Sequence, residues 1–270
     1  MTSSTSANPL AGYRAEPFTA LGKTRSIWRT GHGPAVIVVH EVPGITPLVA
    51  EFGRRIAARG MTAVLPELFG TAGRSPSGPY LVGSLARACI SREFGVLAAG
   101  ATSPITAWLR ELAVVEHRRC GGMGVGAVGM CLTGGIALGM MVEPAVVAPV
   151  LSQPSLPAPV GRRRREVALS AGDLVTVKER VAGGACVIGL RFTSDPAVPA
   201  ERFARLRDEL GDGFIGVEID SSEDNPWGYK THAHSVLTED YLDVEGSPTR
   251  EALEQVLEFF RTRLGVEDGT

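Results

Sequence analysis

The chain is poor in the residues that staple, coordinate or intercalate. Its 270 residues include four cysteines, five histidines and only 6% aromatics. Cys89, Cys120, Cys131 and Cys186 form no C-x-x-C pair, which excludes a disulfide scaffold and argues against a structural zinc site. No apolar run reaches the ~18 residues that a membrane span requires. There is no basic excess: the net charge is −2 and the pI about 6.2, which excludes a dedicated nucleic-acid binder. Met1 to Leu10 has neither a basic start nor an apolar stretch, so no export signal is expected, and the protein is placed in the cytoplasm with reduced thiols. What the chain does have is core-forming material. Hydrophobic residues make up 44% and charged residues 21%, which excludes a disordered chain. The length suits one large domain.

Strand-like and helix-like segments alternate along the chain. Residues 1–16 read as a flexible leader and 17–270 as a single domain. Thr24–Arg29 reads as a first strand, and Ala35–His40 as a continuous β-branched run between Gly33-Pro34 and Pro43-Gly44. Such a run suits a strand buried on both faces. Pro47–Arg59 has helical periodicity and stops at Gly60. The pattern continues with strands at Thr62–Leu65, Gly124–Met130, Ala145–Leu151, Cys186–Phe192 and Phe214–Asp220. Helices are expected at Leu81–Ala99, Pro104–Arg118, Leu132–Met141, Ala171–Val181, Pro199–Leu210 and Pro248–Leu264. Ser152–Arg165 is a Pro-rich loop, and its Arg162–Arg165 run reads as a solvated patch. This alternation predicts an α/β fold with a mostly parallel sheet flanked by helices on both faces. In such folds the ligand site lies beyond the C-terminal strand ends.

Cys131 sits where a strand meets a helix, in Gly129-Met130-Cys131-Leu132-Thr133-Gly134-Gly135. A nucleophile elbow needs this arrangement, with small residues two before and two after the nucleophile. Gly129 meets the first condition, and Thr133 meets the second only loosely. A helix start favours the thiolate, and the free N–H of Leu132 is placed to serve an oxyanion. The other three cysteines read as structural thiols. Gly124-Val125-Gly126-Ala127-Val128-Gly129 spells the dinucleotide fingerprint, but its glycines lie inside the strand rather than in the turn after it, so a nicotinamide or flavin site is not expected.

A thiol nucleophile needs a base and an orienting carboxylate. Asp195 follows the strand Cys186–Phe192, and His234 lies in the loop before the last helix, giving the order nucleophile, acid, histidine. His232 competes with His234 for the role. His32 reads as a turn residue and His117 as a helix-end residue. His40 ends a strand, and its His40-Glu41 pair lacks the second histidine of a metalloprotease helix.

Four segments together resemble the dienelactone hydrolase family of the α/β-hydrolase superfamily. They are Val38-Val39-His40-Glu41-Val42-Pro43-Gly44, Gly129-Met130-Cys131-Leu132 with Gly134-Gly135, Asp195 with Val198-Pro199, and His234-Ser235. The resemblance implies an α/β-hydrolase fold and hydrolysis of a small-molecule carboxylic ester or lactone through a cysteine thioester. It implies no cofactor and no metal. It assigns Cys131 as nucleophile, His234 as base, Asp195 as its orienter, and the N–H groups of Val42 and Leu132 as the oxyanion hole. It places Glu41 beside the resting thiol, where like-charge repulsion would keep the sulfur protonated until substrate displaces the carboxylate. Lactone-specific members carry an arginine four residues after the histidine, where this chain has Thr238. Arg87 and Arg92 are candidates to hold an anionic group instead, and Trp227 and Tyr229 to line the substrate pocket. Neither nucleic acid nor membrane is an expected partner, and a monomer or small homo-oligomer is. The alternative function is a fold member with lost or repurposed activity that binds a small molecule.

Overall fold

The structure, a computed structural model, describes residues 8–90 and 102–267, with only the backbone of residues 85 and 87–90. Eight strands form one sheet: β1 (Arg14–Ala20), β2 (Lys23–Gly31), β3 (Ala35–Val39), β4 (Thr62–Pro66), β5 (Val125–Met130), β6 (Val146–Ser152), β7 (Val187–Phe192) and β8 (Phe214–Ile219). Their spatial order is β1-β2-β4-β3-β5-β6-β7-β8. The first two strands pair antiparallel with each other, and β2 pairs antiparallel with β4. All pairings from β4 through β3, β5, β6 and β7 to β8 are parallel.

The helices are α1 (Pro47–Ala57), α2 (Gly78–Ile90), α3 (Pro104–Cys120), α4 (Gly134–Met140), α5 (Ala171–Ala182), α6 (Ala200–Leu210) and α7 (Pro248–Leu264). Proline occupies the first turn of α1, α3 and α7, where its missing N–H costs nothing. Thr46, Ser103 and Ser247 cap these helices through their side chains, and Ser170 caps α5. These local signals explain why helix starts were legible in the sequence.

The run in β3 is continuous because both faces of the sheet are covered. Val36 and Val38 join a core with Val49 and Phe52 of α1 and Val256 and Phe260 of α7. Ala35, Ile37 and Val39 point the other way, into a core with Trp108 and Leu112 of α3 and Ile136 of α4. A third cluster lies under α5 and α6, around Val177, Phe203 and Leu206. Gly126 in β5 is needed for this packing: a Cβ there would meet the Phe260 ring at 2.8 Å.

The reading of residues 1–16 as a flexible leader is corrected for residues 8–16. Arg14 to Glu16 begin β1, Leu10 is 7% exposed, and the Tyr13 hydroxyl donates to the Ala50 carbonyl at 2.6 Å. The strand escaped notice because its faces are mostly exposed and it contains Pro17, which an edge strand tolerates. Its hairpin turn is Leu21-Gly22, with φ of 49° and 72°. That backbone is ordinarily supplied by Asn-Gly or Asp-Gly, so the usual hairpin signal is missing. The helix expected to Ala99 is described as far as Ile90.

Replacing Phe260 with alanine removes a fully buried ring that joins α7 to the central strands. The variant is expected to lose about 3–5 kcal/mol of stability, read from urea denaturation, and a loss below 1 kcal/mol would contradict this packing.

Candidate active site

Strand β5 runs directly into Cys131, whose φ of 55° lies in the left-handed region that residues with a Cβ rarely occupy. A 3-10 turn, Cys131–Thr133, leads into α4. The bend is so tight that a Cβ on Gly129 would sit 2.2 Å from the Thr133 carbonyl oxygen, and one on Gly134 would sit 2.5 Å from the Pro154 Cα. Glycine is therefore required at both positions. Thr133, the apparent departure, has its own function. Its hydroxyl accepts from the Met130 N–H at 2.9 Å and donates to the Val39 carbonyl at 2.7 Å, tying the elbow to the end of β3. Cys131 itself is partly exposed, at the margin of the apolar cluster that also includes Val42, Phe69 and Leu156.

His234 and Asp195 come together from segments 39 residues apart, with Nδ1 of the ring 2.6 Å from Oδ2 of the carboxylate. Asp195 is 4% exposed, and its second oxygen accepts from the Ala197 N–H at 2.8 Å, which fixes its orientation. The His234 ring lies close enough to Cys131 for the two side chains to interact electrostatically. Burial pulls the imidazole pKa down, but the bond to Asp195 and the electrostatic influence of Cys131 and Asp195 outweigh it and leave it above the ordinary histidine value. The histidine loop is held by Asp240, whose Oδ2 accepts from the N–H groups of His234 at 2.7 Å and Ser235 at 2.9 Å.

Glu41 is 4% exposed, and its carboxylate is engaged by groups other than the thiol. It accepts from Gln153 Nε2 at 3.1 Å, from the Ser235 hydroxyl at 2.7 Å and from the Thr238 hydroxyl. Among the described residues, no hydrogen bond joins it to Cys131. This geometry differs from the resting contact with the thiol that the resemblance implied. The reason is local: the residue four past His234 is a short hydroxyl side chain that reaches Glu41 directly. Gln153 was not foreseen. It is fully buried with φ of 36°, and it stands directly after β6, at a strand end where functional residues gather. Asp240 was missed as well, since a loop aspartate gives no pattern in sequence.

The remaining expectations separate. Val42 and Leu132 flank the elbow, the first partly exposed beyond β3 and the second in the 3-10 turn, where opening N–H groups have no helical acceptor. Tyr229 does not line a pocket: it is 9% exposed, its hydroxyl lies 2.9 Å from that of Thr249, and its ring packs on Phe192. Trp227 packs against the same core as α7. Tyr229 is corrected from pocket lining to packing, and Trp227 is half-buried. The loop before His234 is not all turned to the site; part of it seats α7. Arg92 lies outside the described residues, as do the side chains of Arg87 and Cys89. His232 is exposed, whereas His40 is fully buried, accepts from the Leu68 N–H at 3.1 Å and has its pKa lowered by burial to about 4. Cys120 and Cys186 are partly exposed rather than buried. The arginine run is surface-exposed and ion-paired, Arg164 with Glu201 and Arg165 with Asp208. Among the described residues, no cluster of His, Cys, Asp or Glu has the geometry to hold a metal ion, and no helix is long and apolar enough to cross a membrane.

An α/β sheet with a strained cysteine elbow, a histidine paired with a buried aspartate and an adjacent carboxylate defines an α/β-hydrolase fold. The model of the dienelactone hydrolase family matches residues 23–264, and the chain belongs to that family. Similar solved structures include a putative dienelactone hydrolase from Klebsiella pneumoniae subsp. pneumoniae MGH 78578, with TM-score 0.61, 18% identity, and 94% of this chain and 99% of that one covered. A dienelactone hydrolase-like promiscuous phosphotriesterase from metagenomic libraries gives TM-score 0.59 at 18% identity over 94% and 98%. A dienelactone hydrolase from Anabaena variabilis ATCC 29413 gives 0.59 at 16% over 93% and 98%. No curated protein matches.

The raised pKa of His234 means the folded protein binds this proton more tightly than the unfolded chain. Its contribution to stability is therefore complete below the ordinary histidine value of about 6.5 and is lost as pH rises toward the raised one. Asp195→Asn is expected to lower the His234 midpoint, read by NMR of the ring protons. The stability gap between wild type and variant should narrow as pH rises above neutrality; a midpoint unmoved by the substitution would show that Asp195 does not set it.

Proposed function

We propose that the chain hydrolyses carboxylic esters or lactones through a thioester on Cys131. The observation that carries this reading is one juxtaposition: a partly exposed thiol held at φ 55°, beside an imidazole whose Nδ1 lies 2.6 Å from a buried carboxylate.

His234 takes the thiol proton, and Asp195 holds the ring in the needed tautomer while balancing the imidazolium charge. The thiolate attacks the carbonyl carbon. Negative charge moves to the carbonyl oxygen, which the N–H groups of Val42 and Leu132 stabilise by about 3 kcal/mol per donor. Collapse breaks the ester C–O bond, and His234 returns its proton to the leaving alkoxide. Water, deprotonated by His234, then attacks the thioester and releases the acid and the thiolate. Glu41 anchors the histidine loop in this reading, because the hydroxyls it accepts from, Ser235 and Thr238, belong to the segment that follows His234. Thr238 presents no positive charge at the position where lactone-specific relatives place arginine. Uncharged esters and lactones are therefore the favoured substrates over carboxylate-bearing ones.

Turnover of p-nitrophenyl acetate is expected to fall about a thousandfold or more in Cys131→Ala and in His234→Ala. His232→Ala should stay within twofold of wild type. An acyl adduct on Cys131 should appear by intact-mass spectrometry. Retained turnover in Cys131→Ala would sink the thioester mechanism, and wild-type inactivity across an ester and lactone panel would favour a binding role. Glu41→Gln separates two roles for the carboxylate: a gate on the thiol would make Cys131 alkylate faster when it is removed, whereas the observed anchoring predicts an unchanged alkylation rate with slower ester turnover.

A further inference from the structure

The nucleophile has a neighbour outside the Cys–His–Asp relay. The loop after β6 brings the Ser155 hydroxyl to 3.5 Å from Cys131 Sγ, while the Ser155 N–H donates to the Cys131 carbonyl at 3.0 Å. Ser155 is 9% exposed, so water competes little for this hydroxyl. No strand or α-helix shapes the loop between Ser152 and the 3-10 turn at Gly161–Arg165. What shapes it is Arg202 of α6, a side chain with no exposure at all. Its guanidinium donates to the carbonyls of Pro154 at 2.6 Å, Pro157 at 2.5 Å, Glu166 at 2.8 Å and Arg163 at 3.3 Å. Among the described hydrogen bonds it has no carboxylate partner. Withdrawing a guanidinium from water is costly, and lining it with four carbonyls of one segment is an arrangement that makes that segment rigid. The grip on Pro154 falls on the residue directly before Ser155.

Building on the reading of Cys131 as nucleophile, we propose that Ser155 is a further catalytic residue, whose hydroxyl donates to the Cys131 sulfur in its thiolate form, and that Arg202 is the positioning residue that holds it there. The serine proton stays on its oxygen throughout. A hydrogen bond to the charged form favours that form, so the contact raises the thiolate fraction before attack and steadies the sulfur as it leaves the thioester. His234 handles every proton that moves, and Ser155 handles the charge on sulfur between transfers.

The test is the pH dependence of Cys131 alkylation by iodoacetamide, localised by peptide mass spectrometry. Ser155→Ala is expected to raise the midpoint by about one pH unit, the equivalent of one hydrogen bond to a charged group. Ser155→Thr, which restores a hydroxyl, should recover most of that shift. Arg202→Lys, too short to reach four carbonyls, should raise the midpoint in the same direction, and the double variant should shift no further than Ser155→Ala alone. An unmoved midpoint in Ser155→Ala overturns the role of Ser155. An Arg202→Lys shift that adds in full to that of Ser155→Ala overturns the positioning role. If Arg202→Lys fails to fold, the alanine and threonine variants at Ser155 still decide the first claim. Alkylation reads the thiol whether or not esters are turned over. Ester hydrolysis that survives Cys131→Ala would therefore defeat the hydrolase reading separately.

Discussion

The site depends on one backbone constraint, the left-handed turn at Cys131. A side chain in that region is strained, and the strain is sustained by the surroundings: Gly129 allows the two arms of the turn to close, Gly134 makes room for Pro154 of the loop after β6, and Thr133 bonds the turn to β3. The result is a partly exposed sulfur presented at the C-terminal end of the central strand β5 instead of buried within the sheet. The other groups gather around that projection, with His234 held by Asp195 at its ring and by Asp240 at its backbone.

Around the elbow, polar groups are held by partners from distant parts of the chain. Glu41 joins the end of β3 to the histidine loop and to the residue after β6. Asp240 fixes the backbone at His234 from the other side. Arg202 does the same for the loop that carries Ser155. These buried contacts resemble one another physically. In each, a charged group accepts or donates several hydrogen bonds to one loop, which is what allows an irregular segment to hold a reacting group in a fixed position. A loop without such an anchor would leave the imidazole free to move away from the sulfur.

Much of this was legible before folding, for reasons that differ between elements. The strands β3 to β8 and most helices announce themselves by continuous apolar runs and by Ser or Thr caps followed by proline, as at Thr46-Pro47 and Ser247-Pro248. Cys131 was legible because a tight turn demands small neighbours, and Asp195 and His234 because they follow strands in a recognisable order. Strand β1 was not, since its exposed faces carry no apolar alternation and its turn uses leucine where glycine or asparagine is usual. Gln153 and Asp240 were not, because a single polar residue in a loop has no periodicity to reveal its partner. Trp227 and Tyr229 lie near His234 in the chain, yet Tyr229 belongs to the core and Trp227 packs against it.

The sequence by itself determined the α/β architecture, the thiol at a strand-to-helix bend and the chain order of the thiol, the carboxylate and the imidazole. These follow from local spacing, from caps, and from the steric demand for glycine. The tertiary structure decided which way each polar side chain faces: that Glu41 turns to Ser235, Thr238 and Gln153, and that a fully buried arginine braces the loop beside the sulfur. Such choices are made by partners dozens of residues away, whose approach depends on how helices and strands pack, and local patterns in a chain carry no record of it.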